Sequence, residues 1–429
     1  MTAGTLADER SPPGCPVGQG SERAPVIGRT ARGTPIRFET LAPHPRRPYV
    51  LAVAGQHGDE AAAIESLREA VGRDRPEIDG LGIGFGWIAV ANPDGLTNGS
   101  RTNGDGVDLN RDHIALDSEE TRAIHRIVRT VRPDVVIDLH NYPSRRRAAL
   151  RRGWVLDDDV LVATATHPGV RTRLTPDEVE GFLPEISGEL AREGYAAGEY
   201  RLFQPSGRLR ASSFTSPDLR NSIALRYDTF TVLLEGRAPR SEDALSERAR
   251  LRAAQRRALL AVLRWAARHR GSLDAPDMGS PRPGERVPIA GRWARSHRSS
   301  WATVRDRVSG ERRQVPIRDL YDRVETLRSV ALPEAYAVRQ SDLELIGWLT
   351  RQRFQMIPGT DWTGSGSGAQ LRECLVLPVA QPGGRALAAW LEPGSVFRHP
   401  SLPPWPISAD GPAPSRVWSV PARAPGTGG

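Results

Sequence analysis

Between residues 49 and 268, short apolar runs rich in β-branched residues alternate with longer stretches of helical periodicity. The runs predict strands over Tyr49–Ala54, Gly84–Ala91, Asp134–Leu139 and Asp228–Glu235. Strands that alternate with helices usually pair within one sheet, and the helices then cover its two faces. The pattern therefore predicts an α/β fold, a three-layer αβα sandwich around a mixed, mostly parallel sheet.

The stretches between and after these strands predict four helices, over residues 59–72, 118–131, 175–193 and 242–268. Ser118 is expected to cap the second helix, because a serine hydroxyl accepts hydrogen bonds from the free N–H groups at a helix start. Upstream, the stretch VIGRTARGTPIRFETL holds two short runs on either side of Ala-Arg-Gly and predicts a β-hairpin.

Composition divides the rest of the chain. Residues 1–24 are rich in Gly, Pro, Ser and charge, which is typical of a disordered tail. Residues 25–270 form the predicted main domain, and the Pro/Gly-rich residues 271–305 are predicted to be a linker. A smaller α+β C-terminal extension, with one helix over 341–353, is expected over 306–400, followed by a Pro-rich tail over 401–429.

Charge and composition exclude several classes of protein. The formal net charge is +8, but the chain contains no lysine and its arginines are spread over its whole length. Nucleic-acid-binding faces cluster their basic residues, and the run Arg145–Arg147 is too short to form one. No apolar run is long enough to span a membrane, and the first residues lack the apolar core of a secretory signal, so a cytoplasmic protein is predicted. Cys15 and Cys374 suggest neither a disulfide framework nor a thiolate metal site.

Residues that can bind a metal ion or a proton stand at three predicted strand ends. His57 and Glu60 follow the first strand, and they form the only His-x-x-Glu in the chain. Residues at i and i+3 of a helical turn share a face, so one imidazole and one carboxylate can bind the same ion. His140 and Glu235 stand at the corresponding ends of two other strands, the edge at which open α/β sheets bind their ligands. Imidazole and carboxylate ligands suit zinc, and catalytic zinc sites typically use three protein ligands.

The same stretch of chain offers a base and a substrate clamp. A carboxylate beside zinc-activated water can take its proton and pass it to a leaving amine, and Glu235 is the candidate. Its alternative role is an ion pair with Arg237 or another arginine. Arg101 and the pair Asn110-Arg111 lie in the long glycine-rich loop 92–112. A guanidinium fork can hold a carboxylate by two contacts, although solvent exposure is the commoner fate of a loop arginine.

Five motifs resemble, in their expected order, those of the zinc carboxypeptidases of the metallocarboxypeptidase (funnelin) type. GQHGDE resembles the first ligand motif of that family, and NPDG the turn that follows its next strand. GVDLNR resembles its carboxylate clamp, IDLHNY its third-ligand motif and TVLLEGR the strand that carries its general base. The motifs lie within residues 25–270, which the resemblance makes a zinc carboxypeptidase-like catalytic domain.

The resemblance implies one zinc ion per chain, with His57, Glu60 and His140 as its ligands and Glu235 as the general base. It implies that the enzyme releases a C-terminal amino acid from a peptide or peptide-like substrate with a free carboxylate. No nucleic-acid or membrane partner is expected.

The resemblance also assigns the substrate contacts. Asn110 and Arg111 would bind the terminal carboxylate of the substrate, and Arg101 would polarise the scissile carbonyl and stabilise the oxyanion. The tyrosine that pancreatic-type members place over the substrate has no secure counterpart, which leaves Tyr195, Tyr200 and Tyr227 as candidates. Two arginines of the stretch RNSIALRYDTF are candidates for the specificity pocket, Arg220 and Arg226. Among the remaining histidines, His113 is the one expected nearest to the site.

Two other functions compete with this interpretation. An N-acyl amino acid deacylase, similar to aspartoacylase and succinylglutamate desuccinylase, would share the fold, the ligand pattern and an Asn-Arg pair. NPDG and GVDLNR favour the carboxypeptidase. A non-catalytic protein that binds peptide termini is the other alternative, and the intact base and complete ligand set argue against it.

Overall fold

The structure is a computed structural model of the whole chain. It describes residues 24–41, 47–203, 209–211, 213–215, 217–240, 243–275, 278–297, 300–317, 319–365, 368–392, 395–397 and 417–421. The tail predicted for residues 1–24 lies outside these ranges apart from Ala24, and most of the tail predicted for 401–429 does so too.

The strands of the described residues are β1 (Val26–Arg29), β2 (Pro35–Arg37), β3 (Glu39–Thr40), β4 (Tyr49–Ala54), β5 (Gly84–Ile88), β6 (Val135–Tyr142), β7 (Trp154–Leu156), β8 (Val160–Thr164), β9 (Ala197–Glu199), β10 (Leu202–Phe203), β11 (Leu209–Arg210), β12 (Phe230–Arg237), β13 (Arg286–Arg295), β14 (Ser300–Asp306), β15 (Arg312–Ile317), β16 (Leu320–Ala331), β17 (Ala335–Arg339), β18 (Ile357–Pro358), β19 (Cys374–Pro378) and β20 (Val417–Val420).

The helices are α1 (Ala61–Arg73), α2 (Arg75–Gly80), α3 (Pro93–Asn98), α4 (Glu119–Val131), α5 (Arg147–Leu150), α6 (Pro176–Arg192), α7 (Leu219–Tyr227), α8 (Leu245–Arg268), α9 (Arg270–Leu273), α10 (Leu343–Arg351), α11 (Gly368–Leu371) and α12 (Gly384–Leu391). Among the described residues, one 3-10 turn covers Leu109–Arg111.

A seven-stranded sheet forms the centre of the molecule, with the strand order β3-β5-β4-β6-β12-β8-β9. The four middle strands β5, β4, β6 and β12 are parallel, whereas β3 and β8 join antiparallel to their neighbours. All residues of β4 and β6 are buried, as expected for strands covered on both faces. The predicted mixed, mostly parallel sheet is confirmed.

Helices cover both faces of this sheet and produce the predicted three layers. Helices α1, α6 and α8 pack on one face, where Leu67, Phe182 and Trp265 join Ile137 of β6 in one apolar core. Helices α4 and α7 pack on the other face and bury the alternate strand residues, such as Val136. Side chains alternate along a strand, so each buried strand supplies both cores.

The ends of the predicted elements differ from the structure at functionally important places. Strand β6 continues past Leu139 to Tyr142, and β12 continues past Glu235 to Arg237. The two strands pair in parallel over this extra length, with Glu235 opposite His140. The extra pairing places both residues inside strands, because ladder hydrogen bonds continue beyond the end of the apolar run.

Two helix starts show how the chain satisfies free N–H groups. Ser118 occupies the N-cap position of α4, but its side chain makes no capping hydrogen bond. Asp112 instead accepts the backbone N–H groups of Asp117 and Ser118. By contrast, Thr175 and Glu178 form a reciprocal capping box at the start of α6.

The C-terminal part is built from strands that also pair with the main domain. Strand β14 pairs with β7, and β16 pairs with β11. Residues 271–305, predicted as a linker, instead contain the ten-residue strand β13 and most of β14. Their proline and glycine content hid the strand pattern. Within the described residues, no helix is long and apolar enough to span a lipid bilayer.

Candidate metal centre and active site

His57, Glu60 and His140 meet at the carboxyl edge of the central sheet. His57 lies in the turn after β4, Glu60 is the N-cap residue of α1, and His140 lies in β6. One ligand atom from each lies within 4.8 Å of the others. The Glu60 carboxylate bridges the two rings, with Oε1 2.7 Å from His57 Nδ1 and Oε2 2.8 Å from His140 Nδ1. These three side chains therefore present two imidazole nitrogens and a carboxylate to one point.

Two glycines give the ligand turn its shape. Gly55 adopts a φ of +68° where β4 ends, in the left-handed region that favours glycine. Gly58 lies against the helix that begins with NPDG. A Cβ atom at residue 58 would lie 1.9 Å from the carbonyl carbon of Gly95, so this approach requires glycine.

In each candidate histidine ligand, the ring nitrogen that faces away from the metal position, Nε2, contacts a carboxylate. Asp108 Oδ1 lies 3.1 Å from His57 Nε2, and Asp138 Oδ1 lies 2.9 Å from His140 Nε2. Such partners fix the ring orientation and the tautomer, which leaves Nδ1 for a metal ion. Sequence analysis missed both aspartates, although a signal existed for one of them. Asp138 is two residues before His140 on the same strand and therefore points to the same face.

The charges around these residues favour a bound cation. Burial raises the pKa of Glu60, but the charges of His140 and His57 and their hydrogen bonds outweigh burial and lower it. Burial lowers the pKa of His140, but Asp138 and Glu60 raise it well above its usual range. The pocket thus stabilises positive charge where the Nδ1 atoms converge. This donor set fits zinc, which is commonly bound by two histidines and one glutamate.

Glu235 lies beside this centre on β12, in register with His140 on the neighbouring strand. Its pKa is raised, chiefly by burial, and the positive charge of His140 opposes this rise. Arg237 does not pair with it. The guanidinium of Arg237 instead forms ion pairs with Asp157 and Glu247.

A cleft of about 520 Å³ opens over the centre, and the predicted metal ligands, general base and substrate contacts all line it. Arg101 NH1 lies 3.8 Å from Glu60 Oε1, while its Nε donates to Asp108 Oδ2 at 3.0 Å. Arg111 is exposed at the cleft wall. Both arginines therefore have guanidinium groups within reach of a molecule in the cleft.

Asn110 lines the same cleft, but its carboxamide already has protein partners. Its Nδ2 lies 3.0 Å from His140 Nε2, and its Oδ1 accepts the backbone N–H of Leu219 at 2.9 Å. The hydrogen bond to Leu219 holds Asn110 between the start of α7 and the cleft, while His140 Nε2 donates to Asp138 and does not accept from Asn110.

The structure separates the candidates that the sequence left open. Tyr200 lines the cleft, whereas Tyr195 packs against the main core and Tyr227 hydrogen-bonds His125. Arg220 lines the cleft beside Asp218, to which its NH2 donates at 3.3 Å, whereas Arg226 lies in a different cleft.

Arg146 is a further cleft residue that sequence analysis did not single out. Its guanidinium lies 5.5 Å from the ring centre of Tyr200. Only the fold brings this loop arginine to the cleft, and no motif marks it.

A buried chain of hydrogen bonds leads away from the metal centre. Gln56 Nε2 donates to Asp138 Oδ1 at 2.7 Å, and Gln56 Oε1 lies 2.7 Å from His113 Nε2. His113 Nδ1 lies 3.1 Å from His125 Nε2, and His125 Nδ1 lies 2.9 Å from the Tyr227 hydroxyl. Burial lowers the pKa of His113 to about 4 and lowers that of His125 well below its usual range, so both rings are neutral near pH 7. Neutral rings that each donate from Nε2 and accept at Nδ1 satisfy every member of the chain.

Comparison with known proteins gives partial matches. No protein-family model matches the chain. It is 33% identical over 99 residues to murein peptide amidase A of Escherichia coli K12, a match that covers 23% of this chain and 39% of the amidase. It is 27% identical over 164 residues to probable carboxypeptidase 2 of Trichophyton verrucosum, covering 35% of this chain and 30% of that protein. The matches thus span about a third of the length of these curated relatives.

Among solved structures, the chain is similar to a metallo-carboxypeptidase from Pseudomonas aeruginosa in complex with (2-guanidinoethylmercapto)succinic acid. That similarity has 22% identity and a TM-score of 0.43 and covers 57% of this chain and 64% of the other. Over part of its length, the chain is therefore similar in sequence to a murein peptide amidase and to a probable carboxypeptidase.

Proposed function

We propose that this protein is a zinc-dependent hydrolase that releases a C-terminal amino acid from a peptide or peptide-like substrate. The observation that carries the proposal is the convergence of His57, Glu60 and His140 beside Glu235 in one cleft. A bound zinc ion would supply Lewis acidity and lower the pKa of a water molecule toward neutrality.

Glu235 is the proposed general base. Burial raises the pKa of its carboxylate, which makes the group a better proton acceptor than an exposed glutamate. The carboxylate takes a proton from the attacking water and returns it to the leaving nitrogen, so one side chain serves both halves of the reaction.

Two arginines are proposed to bind the substrate. Arg111 meets its terminal carboxylate, because an exposed guanidinium fork can hold both oxygens. Arg101, held in place by Asp108, polarises the scissile carbonyl and stabilises the negative charge that forms on it. Asn110, which lines the same cleft, is proposed to add a side-chain N–H to the carboxylate contact.

The proposed substrates are short peptides. The matched relative in Escherichia coli is named a murein peptide amidase, and cell-wall peptides therefore belong in the first set to be tested.

The test is to incubate zinc-loaded protein with a pool of N-acylated short peptides and murein peptides and to identify the products by mass spectrometry. Glu235→Gln should lower turnover about 100-fold or more because it removes the proton acceptor, while still binding one zinc ion per chain. Glu65→Gln, on the exposed side of α1, is the matched control and should keep full activity.

Each product would identify one reaction. Loss of the C-terminal residue supports the carboxypeptidase, whereas release of the acyl group from N-acyl amino acids would replace it with the deacylase. Zinc binding without turnover of any substrate would favour a binder of peptide termini, and absence of zinc binding would overturn the site assignment.

A further inference from the structure

A second cleft, of about 410 Å³, lies at the opposite end of the central sheet, between the main domain and the C-terminal part. Strands β6 and β12 begin here, and helices α4, α7 and α10 end here. Its volume is within the range of small-molecule sites. Five arginines line it, Arg129, Arg132, Arg173, Arg226 and Arg353, together with two acidic residues, Asp134 and Asp228.

The two aspartates of this arginine-lined cleft are already neutralised. Asp134 accepts from Arg47 at 3.0 Å and from Arg173 at 2.8 Å, and Asp228 pairs with Arg171 at 2.6 Å. Arg132 and Arg353, by contrast, are exposed and pair with no carboxylate among the described residues. Their charges face the cleft without compensation.

Arg226 adds a buried cation to the same wall. It is 3% exposed, and its NH1 and NH2 donate to the carbonyl oxygens of Pro382 and Gln352. Its Nε has no hydrogen-bond partner among the described residues, and no carboxylate there pairs with it. Burying a cation without an ion-pair partner is costly. The Phe354 ring, 4.1 Å from the Arg226 guanidinium, and the charge of Asp228 offset part of this cost, and a negatively charged ligand would stabilise this wall further.

Helix dipoles offer a simpler reason for arginines at this place, because cations are favourable at helix C-termini. Each C-terminus contributes roughly half a negative charge. The cleft is lined by five arginines and two aspartates, which leaves an excess of three positive charges. The three helix C-termini therefore offset only about half of this excess. The remaining potential is positive, and the cleft still attracts an anion.

We propose that the arginine-lined cleft binds a small organic anion that carries a phosphate or carboxylate group on an apolar body. Guanidinium forks hold the planar or tetrahedral oxyanion by paired contacts. The apolar walls include Val128, Pro133 and Pro281 and cover the rest of the ligand. The site does not depend on the hydrolase activity, since no residue of the metal centre takes part in it.

The test is calorimetric titration of the full chain, without substrate, with phenyl phosphate, benzoate and orthophosphate. The double variant Arg132→Gln/Arg353→Gln should weaken phenyl phosphate binding at least tenfold. Arg111→Gln, in the active-site cleft, should leave it unchanged. Arg75→Gln/Arg192→Gln removes the same charge from exposed positions outside the cleft and should also leave it unchanged, which excludes a general effect of net charge.

Three results would overturn the proposal. These are the absence of binding at millimolar ligand, equal affinity in Arg132→Gln/Arg353→Gln and wild type, or loss of binding in Arg111→Gln. Orthophosphate that binds as tightly as phenyl phosphate would overturn the assignment of an apolar body. Unchanged thermal unfolding of the double variant would show that it remains folded.

Discussion

At the scale of single residues, the candidate centre depends on carboxylates that do not face the metal position. Asp138 contacts His140 at Nε2, on the side of the ring away from the metal position, and also accepts a hydrogen bond from Gln56. Such a partner orients the ligand ring and increases its basicity. The metal affinity of the centre is therefore set partly by residues that do not themselves bind the ion.

We expect Asp138→Asn to weaken zinc binding about 10-fold to 100-fold, because the amide holds the His140 ring less strongly than the carboxylate does. Chelator competition on the metal-free protein measures this change. Asp59→Asn is the matched control, since Asp59 is an exposed acid at the rim of the same cleft. If Asp59→Asn weakened zinc binding as much as Asp138→Asn did, the loss of affinity would come from the lost negative charge and not from the contact with His140.

The buried carboxyl group of Asp158 makes the stability of the folded protein depend on pH. Burial raises its pKa from 3.8 to about 6, against the opposing effects of Arg201 and a hydrogen bond from Thr303. A raised pKa means that the folded state binds the proton more tightly. The protonated Asp158 carboxyl therefore stabilises the folded state fully below pH 3.8, and this contribution is lost as the pH rises through about 6.

Asp158→Asn should therefore gain stability relative to wild type between pH 4 and pH 7.5, by at most about 3 kcal/mol. The asparagine stays neutral at every pH, so the desolvation cost of the ionised carboxylate disappears. Urea unfolding of both proteins at the two pH values measures the difference. A stability difference that does not change with pH would contradict the assignment.

At the scale of elements, helix starts are stabilised in two ways. Helix α6 uses the side chain of Thr175, which accepts the N–H of Glu178, whereas the Glu178 carboxylate accepts the N–H of Thr175. Helix α4 instead relies on Asp112 in the preceding loop. A hydroxyl residue stands at the N-cap position of each helix, Thr175 in α6 and Ser118 in α4. Only the Thr175 hydroxyl accepts a capping hydrogen bond.

We expect Thr175→Ala to lower the free energy of unfolding by about 1 kcal/mol, which is typical for loss of an N-cap hydrogen bond. Ser118→Ala should cost clearly less, because the Ser118 hydroxyl makes no capping bond. Chemical denaturation of both variants under the same conditions measures the two losses. A larger loss for Ser118→Ala would contradict the structure of the α4 start.

At the scale of the whole molecule, the C-terminal part and the main domain share one apolar core. Trp348 of α10 is 3% exposed, and its Nε1 donates to the carbonyl oxygen of Ile114 at 2.7 Å. Ile114 and Leu225 of the main domain pack in the same cluster as Trp390 of α12. A core common to both parts predicts that they unfold together.

We expect Trp348→Ala to destabilise the protein by about 3–5 kcal/mol, the usual cost of a large cavity in a core. Tryptophan fluorescence and release of bound zinc on heating should report one common transition in wild type and in the variant. Trp301→Ala is the control, because Trp301 is 52% exposed and its loss should cost about 0.5 kcal/mol or less. Two separate transitions would show that the parts fold independently.

Local periodicity was enough to predict several elements of the fold. Apolar runs and helical repeats predicted β4, β6 and β12 and four of the helices that cover them, α1, α4, α6 and α8, because side-chain alternation and helical spacing are properties of neighbouring residues. Helix α7 was not predicted. The motif around His57 and Glu60 placed two candidate ligands on one turn for the same reason. Glu235 and His140 could be placed at strand ends, but not opposite one another.

Which distant residues meet depends on the tertiary fold. The fold brought Asp108 to Nε2 of His57, linked His113 to Tyr227 through His125, and separated Arg220 from Arg226 into two clefts. It also paired β7 and β11 with strands of the C-terminal part, across a segment whose composition predicted a linker. These contacts depend on strand register and on packing between residues far apart in the chain, which no local pattern encodes.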